Sequence, residues 1–533
     1  MQTPHEDMTP RRWLFAFLGA LTLLRLAFAA QLELFPDESY YFMWSERMDV
    51  CYFSKGPGVA GAIWLGTHLF GANEFGVRVL SPLLGLGTSL LLFSFTRRLY
   101  GESVGIWTAV MINLLPIFNV GSLVMTIDPL SIFFWTATLY TFWLALERSP
   151  DFSKWWPATG ALIGLGFLSK YTNAMELVSI LLLLAITPKF RREFRRPGFW
   201  VMLVIALLCT LPPIIWNARH GWVTLEHLRL RGGLHKGFAV SPSEIGKFLG
   251  LHFAVYSPLI FLGMLIAAWW GVRRAQLQWK PRFLLAFALP LFALYFWLSL
   301  NQAGEPNWTA PGAISLGVLA VAFWHERALG SRGARIFSIA ALAFGLFGSV
   351  LIIDLDALHV LGIPWSYRID PGSRARGWRS AAEKVEVLRA DFEAQLGEKV
   401  FLIANEHEVA SSLAFYMKDK RPEGPAHPPV YIPESQEFVD QFSFWHRYDE
   451  FVDAPDAPHI PRDEYYTEEG GVNPFMGRTA LYITDRAEEK GPSAIKGGFE
   501  EVEIIACIDQ TRRGLPLRQL RVFACRRYRS VPL

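Results

Sequence analysis

Long apolar runs separated by short polar segments fill the chain up to about residue 353, after which charged residues return at ordinary density. A membrane-spanning helix needs roughly 20 mostly apolar residues. The pattern therefore predicts a polytopic α-helical membrane protein with about eleven spans, followed by a water-soluble domain. The predicted spans are 13–31, 78–97, 103–124, 128–147, 156–169, 173–187, 199–217, 248–271, 283–300, 308–325 and 335–353.

The apolar segment 58–70 is too short to span, and we predict that it forms a helix at the membrane interface. Beyond the spans, the periodicity predicts a mixed α/β domain. Its predicted helices are 378–396 and 408–416, and its predicted strands are 400–404, 480–484, 501–508 and 517–524. The last two strands face each other across a turn that contains Gly514. We expect a transmembrane domain over 1–355, with its catalytic loop at about 32–77, and an α/β domain over 356–533.

Composition supports this division and excludes nucleic acid as a partner. The chain is 52% hydrophobic and only 19% charged, against about 25% charged in soluble domains. A net charge of +3, without a basic block that interleaves with aromatics, argues against nucleic-acid binding. The four cysteines lack metal-ligand spacing, but Cys507 and Cys525 lie in the predicted hairpin, where an oxidising compartment would allow a disulfide.

Lysine and arginine cluster in alternate loops, which predicts the orientation of the chain. The bias places the N-terminus in the cytoplasm and the C-terminal domain outside, in the periplasm if the membrane is a Gram-negative inner membrane. The basic loop 217–247 falls outside against this bias, and an anionic lipid headgroup would explain it.

An acid pair, Asp37-Glu38, follows the first span directly. Ionisable groups at such a depth are costly and often functional, so the pair could act as a general base or hold a metal. Alternatively, the two acids mark the interface or begin the next helix. Tyr40 and Tyr41, which follow, could form a sugar-stacking face.

Three basic residues are candidates for holding a phosphate. Lys55 follows Tyr52 in a Gly- and Pro-rich turn, and Lys170 and Arg78 lie at predicted helix ends. Each could instead be a lysine or arginine that reaches toward the membrane surface. His220 belongs to the basic loop described above, where it could contact an anionic substrate.

Two further turns are predicted to lie on the same side of the membrane as Asp37. Asp128 precedes Pro129 and could either cap the next helix or serve as a second site acid. Asn307 and Trp308 are candidates for contacting the acceptor or stacking on the sugar.

Walker A, Gly-x-Gly-x-x-Gly and His-Glu-x-x-His motifs are absent from the sequence, as is a cytoplasmic domain for a nucleotide sugar. A membrane-held polyprenyl phosphate is therefore the expected sugar carrier. A transporter or flippase of lipid-linked intermediates is the alternative, although polar groups at helix ends favour an interfacial enzyme. A scaffold whose external domain is the active part is a third interpretation.

Several of these motifs together resemble a known family. Pro36-Asp37-Glu38-x-Tyr40-Tyr41, Tyr52-Phe53-x-Lys55-x-Pro57, Thr126-x-Asp128-Pro129 and Glu305-Pro306-Asn307-Trp308 look like bacterial GT-C glycosyltransferases of the protein O-mannosyltransferase type, which are related to lipid A aminoarabinose transferases. The resemblance implies a polyprenyl-phosphate sugar donor and an extracytoplasmic lipid, glycan or protein acceptor. It also implies that Asp37 is the catalytic carboxylate, that Lys55 binds the donor phosphate and that Asp128 is a second site acid.

The sequence departs from the aminoarabinose branch at two positions. That branch has an Arg two places after the Asp-Glu pair and a Glu before the lysine, where this chain has Tyr40 and Ser54. These differences argue against aminoarabinose specificity and against that branch's metal site. The sequence is compatible with a divalent metal but does not require one.

Overall fold

The chain forms two compact units in a computed structural model. The structure describes residues 9–353, 362–363, 366–367, 370–424, 426–435, 437–450, 452–453, 471–487 and 493–529. The first unit consists of Met1–Gln31 and Met48–Gly362, and the second consists of Leu32–Arg47 and Ile363–Leu533.

The first unit is helical. Its longer helices are Thr9–Gln31, Gly58–Phe70, Leu80–Tyr100, Glu102–Asn113, Ile127–Glu147, Trp155–Ser169, Met175–Ile186, Pro197–Arg219, Val223–Arg231, Pro242–Val255, Pro258–Ala275, Trp279–Ser299, Ala310–Gly330 and Arg332–Ile353. Short helices or 3-10 turns cover Glu74–Arg78, Pro116–Gly121, Tyr171–Ala174, Pro188–Arg195 and Pro306–Thr309. Proline is the first residue of several of these helices. Its fixed φ suits a helix start, and its missing N–H costs no hydrogen bond there, because the first N–H groups of a helix have no partner within the helix.

The predicted count of about eleven spans is not confirmed. Within the described residues, seven helices are long and apolar enough to cross a membrane, or nine if each of two bent pairs counts as one span. The predicted span 103–124 is interrupted, because the helix Glu102–Asn113 ends and Pro116 begins a new one. The predicted span 156–169 forms a helix of only 15 residues. The predicted short helix at 58–70 is present as Gly58–Phe70.

The second unit contains a four-stranded sheet. Its strands are β1 (Phe401–Ala404), β4 (Ala480–Thr484), β5 (Phe499–Arg512) and β6 (Leu515–Tyr528), and a separate pair joins β2 (Val452–Asp453) to β3 (Gly471–Val472). The sheet order is β1-β4-β6-β5, with β1 parallel to β4 and the other neighbours antiparallel. Four α-helices, Pro36–Ser45, Trp378–Leu396, His407–Tyr416 and Ser493–Lys496, and the 3-10 turns Pro371–Ala375 and Gln441–Phe444 complete the described part of the unit, so the mixed α/β prediction is confirmed.

The hairpin of β5 and β6 is present but does not carry the predicted disulfide. Arg513 and Gly514 form its two-residue turn with φ of 51° and 77°, the left-handed geometry that hairpin turns require. Cys507 pairs across the strands with Arg521, whereas Cys525 pairs with Val502, and both thiols are free. An offset of four residues along β6 separates the two cysteines by roughly 13 Å at 3.3 Å per residue. That is too far for a disulfide.

Residues 32–47, which we predicted to belong to the transmembrane domain, lie in the second unit instead. The N–H of Leu34 donates to the Tyr416 hydroxyl at 2.7 Å, and the rings of Phe42 and Phe415 meet edge to face at 4.9 Å. Chain order alone could not reveal this packing, because it joins residues that are more than 370 positions apart.

Candidate active site

The acid pair begins the helix Pro36–Ser45, and its two members have different surroundings. Glu38 is fully buried and its Oε2 accepts the backbone N–H of Phe35 at 3.0 Å, so it satisfies a donor at the start of the helix. Asp37, in the first helical turn, is only half-buried. The predicted catalytic pair therefore divides into a helix-starting Glu38 and a more accessible Asp37.

The two tyrosines after the acid pair are packed inside the second unit. Tyr40 is 6% exposed and Tyr41 8% exposed, and both rings meet Trp44 edge to face at about 5 Å. The Tyr40 hydroxyl accepts the N–H of Gln441 at 2.7 Å. Tyr40 therefore joins this helix to the turn that contains Gln441, and the sugar-stacking role of the two rings stays a prediction.

In the first unit, three predicted site residues meet in one cluster. Lys170 Nζ lies 2.7 Å from Asp128 Oδ1, and Asn307 Nδ2 donates to Asp128 Oδ2 at 2.7 Å. Lys170 also reaches the Asn307 carbonyl at 3.4 Å and is only 6% exposed. Thr126, rather than Asp128, caps the following helix, because its hydroxyl accepts the Asp128 N–H. Asp128 is thus held by a lysine and an amide, and Lys170 is buried against it rather than extended toward the membrane surface.

The turn that carries Asn307 and Trp308 is fixed from neighbouring helices. The Thr309 hydroxyl lies 2.8 Å from His252 Nε2 and 3.1 Å from the Tyr256 hydroxyl. The Trp308 ring packs on Tyr295 at 5.3 Å. These contacts hold the Asn307 amide on Asp128.

The loop that carries Lys55 lies against the chain segment just before Lys170. A Cβ on Gly56 would stand 2.2 Å from the Leu168 carbonyl oxygen, and one on Gly58 would stand 2.7 Å from the Ser169 hydroxyl. Glycine at both positions therefore allows the two backbones to approach closely. The half-buried Lys55 is brought by this contact to the segment that leads into Lys170.

Tyr52 and His220, both predicted to contact substrate, support the same loop. Tyr52 is fully buried and accepts the Asp49 N–H at 3.1 Å, and burial raises the pKa of its hydroxyl to about 12. His220 stacks on Trp216 at 4.0 Å, and Trp216 Nε1 donates to Asp49 Oδ2 at 2.9 Å. Tyr52 is therefore packed within this loop, and the half-buried His220 reaches the loop through Trp216, while the substrate contacts of both stay predictions.

Arg78, the third predicted phosphate ligand, is 1% exposed and lies beside the Ala29 carbonyl, with Nη1 to oxygen at 3.5 Å. This contact joins Arg78 to the end of the first helix, and its role as a phosphate ligand stays a prediction.

Replacing Gly56 with Ala is expected to lower both thermal stability and activity, because the new methyl group would collide with the Leu168 backbone. We expect a loss of about 2 kcal/mol, measured as the thermal unfolding of the protein in detergent. The matched control is Gly237→Ala, since a Cβ there meets nothing within 4 Å. Equal unfolding temperatures for the two variants would contradict the close approach.

The described residues do not fit a metal site. Within them, no three His, Cys, Asp or Glu side chains lie close enough together to hold an ion. Glu38 accepts a hydrogen bond from the Phe35 N–H. The position before Lys55, which is Glu in the aminoarabinose branch, is Ser54 in this chain. We therefore derive no step through a metal.

Sequence reasoning missed the residues that hold these groups in place. His252 and Tyr256 support the Asn307 turn, and His407, Asp440 and Gln441 surround Tyr40. A histidine inside an apolar segment, as at 252, is a signal that could have been used. The sequence around His407 and Asp440 contains no such signal, since the roles of these residues depend on contacts distant in sequence.

The fold and the cluster define a class of protein. Asp128, Lys170 and Asn307 lie at helix ends of a multi-pass membrane unit, and an α/β unit follows. This is the arrangement that the resemblance to GT-C glycosyltransferases predicts.

Comparison with known proteins supports this class. Residues 54–216 match the family model described as dolichyl-phosphate-mannose-protein mannosyltransferase. The chain is 26% identical to the lipid A galacturonosyltransferase RgtD of Rhizobium johnstonii over 81% of this chain and 89% of that protein. It is also 27% identical to the undecaprenyl phosphate-alpha-4-amino-4-deoxy-L-arabinose arabinosyl transferase of Erwinia tasmaniensis, over 60% of each chain.

The fold is similar to that of a solved glycosyltransferase over nearly the whole chain. ArnT from Cupriavidus metallidurans bound to undecaprenyl phosphate matches 97% of this chain and 98% of its own, with a TM-score of 0.59 and 17% identity. These findings confirm the predicted family resemblance, the fold class and the glycosyltransferase prediction. They favour an enzyme over the transporter alternative.

Proposed function

We propose that this chain transfers a sugar from a polyprenyl-phosphate donor to lipid A at the extracytoplasmic face of a bacterial inner membrane. The observation that carries the proposal is the buried Asp128–Lys170–Asn307 cluster with the Lys55 loop beside it. In such a partly dry site, the fixed positive charge of Lys55 would stabilise a phosphate. The acceptor is inferred from relatives that are named for lipid A, and the face of the membrane from the distribution of lysine and arginine.

In the proposed reaction, Asp37 takes the proton of the acceptor hydroxyl while that oxygen attacks the anomeric carbon of the sugar. The bond from that carbon to the phosphate oxygen breaks, and polyprenyl phosphate leaves with the electron pair. Lys55 stabilises the charge that develops on the phosphate. Lys170 holds Asp128 in place, so Asp128 can orient the sugar. Asn307 contributes the second hydrogen bond to Asp128.

Of the two sugars that the relatives' names suggest, an acidic sugar fits this chain better than an aminopentose. Arg231 lies over the Trp308 ring at 5.9 Å, and Trp308 follows the amide that holds Asp128. A guanidinium at this point would pair with a sugar carboxylate and would repel an ammonium group. We therefore propose a uronic acid, such as galacturonic acid, as the sugar.

Replacing Lys55 with Met is expected to raise the KM for the donor at least tenfold, because the phosphate loses a charged contact. Lys55→Arg should recover part of the affinity, since it restores the charge with a different geometry. The measurement is the rate of transfer from an undecaprenyl-phosphate sugar at varied donor concentration. If the KM were unchanged in Lys55→Met, the role of Lys55 in holding the phosphate would be wrong.

The function itself is tested by mass spectrometry of lipid A from a strain that lacks the gene and from the same strain with it restored. We expect a mass difference of one uronic acid residue that appears only with the gene. A glycan or protein that gained the sugar in place of lipid A would overturn the proposed acceptor. An aminopentose on lipid A would overturn the proposed sugar.

A further inference from the structure

A cavity of about 460 Å³ opens among four helices of the first unit. Its walls are formed by the helices Glu102–Asn113, Pro258–Ala275, Ala310–Gly330 and Arg332–Ile353. The volume is within the range of ligand-binding cavities, which is about 300–1,000 Å³. The lining is mostly apolar, and it includes no Asp or Glu from the described part of the chain. The cavity therefore suits the apolar part of a ligand.

The polar residues at this cavity gather at one end of the helices. Arg335 lies in the first turn of its helix, and His325 lies five residues before the end of the preceding helix, from which only Ser331 separates it. The Ser103 hydroxyl lies 2.7 Å from His325 Nε2, and Ser103 is in the first turn of the helix Glu102–Asn113. These contacts place three helix ends side by side.

On each of these three helices, apolar residues continue the face that carries the polar residue. They stand four, seven or eight residues from it, and residues at such spacings share one face of a helix. Those that line the cavity are Trp107, Met111, Val321, Ile339 and Leu342. The cavity is therefore polar at one end and apolar along the rest of its length.

A tryptophan holds the wall that the helix Pro258–Ala275 contributes. Trp324 Nε1 donates to the Gly263 carbonyl at 3.1 Å, and the Trp324 ring packs on the Phe337 ring at 4.4 Å. Gly263 and Phe337 both line the cavity. The shape of the cavity is therefore set by contacts between the helices.

Arg335 gives the polar end a positive charge. Its Nε donates to the Ala328 carbonyl at 3.3 Å, and within the described residues no salt bridge joins it to an acid. Of the acids nearby in sequence, Glu102 is paired with Arg11, and Glu326 is exposed and does not line the cavity. The charge of Arg335 is therefore available to an anion.

We propose that this cavity binds one anionic phospholipid, such as phosphatidylglycerol, with an acyl chain along the apolar walls and the phosphate beside Arg335. A guanidinium binds phosphate through charge-assisted hydrogen bonds, and burial of the chain adds a hydrophobic contribution. The distribution of lysine and arginine predicts that this end of the helices faces the cytoplasm. The lipid therefore belongs to the inner leaflet, where basic pockets between spanning helices bind anionic headgroups.

The predicted topology favours a phospholipid over the polyprenyl carrier as the occupant. In the proposed function, the carrier's phosphate lies beside Lys55, near Asp128. The same distribution of lysine and arginine that predicts a cytoplasmic position for Arg335 predicts an external position for Asp128. A carrier whose phosphate is held by Lys55 therefore cannot place that phosphate at Arg335.

The test is native mass spectrometry of the full-length protein in detergent, with dioleoyl-phosphatidylglycerol and dioleoyl-phosphatidylethanolamine added in equal amounts. We expect the wild type to retain one phosphatidylglycerol with a preference of about fivefold, the effect of one basic residue on an anionic lipid. Arg335→Gln should remove this preference. The matched control is Arg273→Gln, which should keep it, since the exposed Arg273 lies over the Trp269 ring at 4.6 Å and does not line the cavity.

Val321→Phe tests the apolar part of the site. Val321 is half-buried and lines the cavity, so the larger ring would fill the space of the acyl chain while Arg335 keeps its charge. We expect this variant to lose the bound phosphatidylglycerol. If it fails to fold, Arg335→Gln still decides, because Arg335 is exposed and its replacement leaves the packing of the helices unchanged.

The proposal would be overturned if the wild type retained both lipids equally, or if the preference survived in Arg335→Gln or Val321→Phe. Displacement of the phospholipid by an equal amount of undecaprenyl phosphate would assign the cavity to the carrier instead. A dimer that dissociates in Val321→Phe would assign it to a second copy of the chain. None of these measurements involves sugar transfer, so their outcome is independent of the proposed function.

Discussion

Replacing Asp37 with Asn is expected to lower the rate of sugar transfer by about 1000-fold, the middle of the range for a general base. Asparagine has nearly the same shape and keeps the helix start, since Glu38 and Pro36 provide that function. It cannot take up the proton of the acceptor hydroxyl. The loss should therefore appear in kcat, with donor affinity nearly unchanged, in transfer assays on the purified protein.

The matched control for Asp37→Asn is Glu46→Gln. Glu46 lies at the other end of the same helix, is exposed and makes only a 4.0 Å ion pair with Arg47. Its replacement removes the same charge and should leave the rate within twofold of wild type, because exposed pairs contribute little. If a fully folded Asp37→Asn variant transferred sugar at the rate of Glu46→Gln, the assignment of Asp37 as the general base would be wrong.

Replacing Lys170 with Met is expected to destabilise the protein by about 3 kcal/mol. Lys170 and Asp128 have side chains only 7% and 17% exposed, so removal of the lysine leaves a poorly solvated carboxylate. In the double variant Asp128→Asn/Lys170→Met no such charge remains, and we expect more than half of the lost stability to return. The measurement is thermal unfolding in detergent, completed as a double-mutant cycle with Asp128→Asn.

Lys247→Met is the control for Lys170→Met. Lys247 pairs with Glu244, but its side chain is 63% exposed, so its loss should change stability by less than about 0.5 kcal/mol. Additive effects of Asp128→Asn and Lys170→Met would show that the two groups do not interact as the structure implies. Because Asp128 orients the sugar in the proposed reaction, both single variants should also lose transfer.

Hydropathy and turn chemistry predicted most of the elements. The α/β domain and its Gly514 hairpin followed from local patterns of two and 3.6 residues. The span count was not confirmed, because hydropathy alone does not register the break at Pro116 or the short helix at 155–169. The disulfide was wrong, because register across β5 and β6 is set by the turn, and that register separates Cys507 from Cys525.

The site was only partly predictable. Topology predicted only that Asp128, Lys170 and Asn307 lie on the same side of the membrane, and the structure brings their side chains into contact. The same reasoning could not assign different roles to Glu38 and Asp37, because that difference depends on one hydrogen bond between Glu38 and the Phe35 N–H. Nor could it place Tyr40 beside His407, since that contact joins residues 367 positions apart.

The most direct test of the proposed function is transfer in sealed vesicles that contain the purified protein, undecaprenyl phosphate-linked galacturonic acid and lipid A. We predict that mass spectrometry will detect lipid A with one added galacturonic acid, together with free undecaprenyl phosphate in equal amount, and that Asp37→Asn will abolish both products. Movement of the intact donor between leaflets, with no new bond to lipid A, would contradict the proposal and establish the transporter alternative.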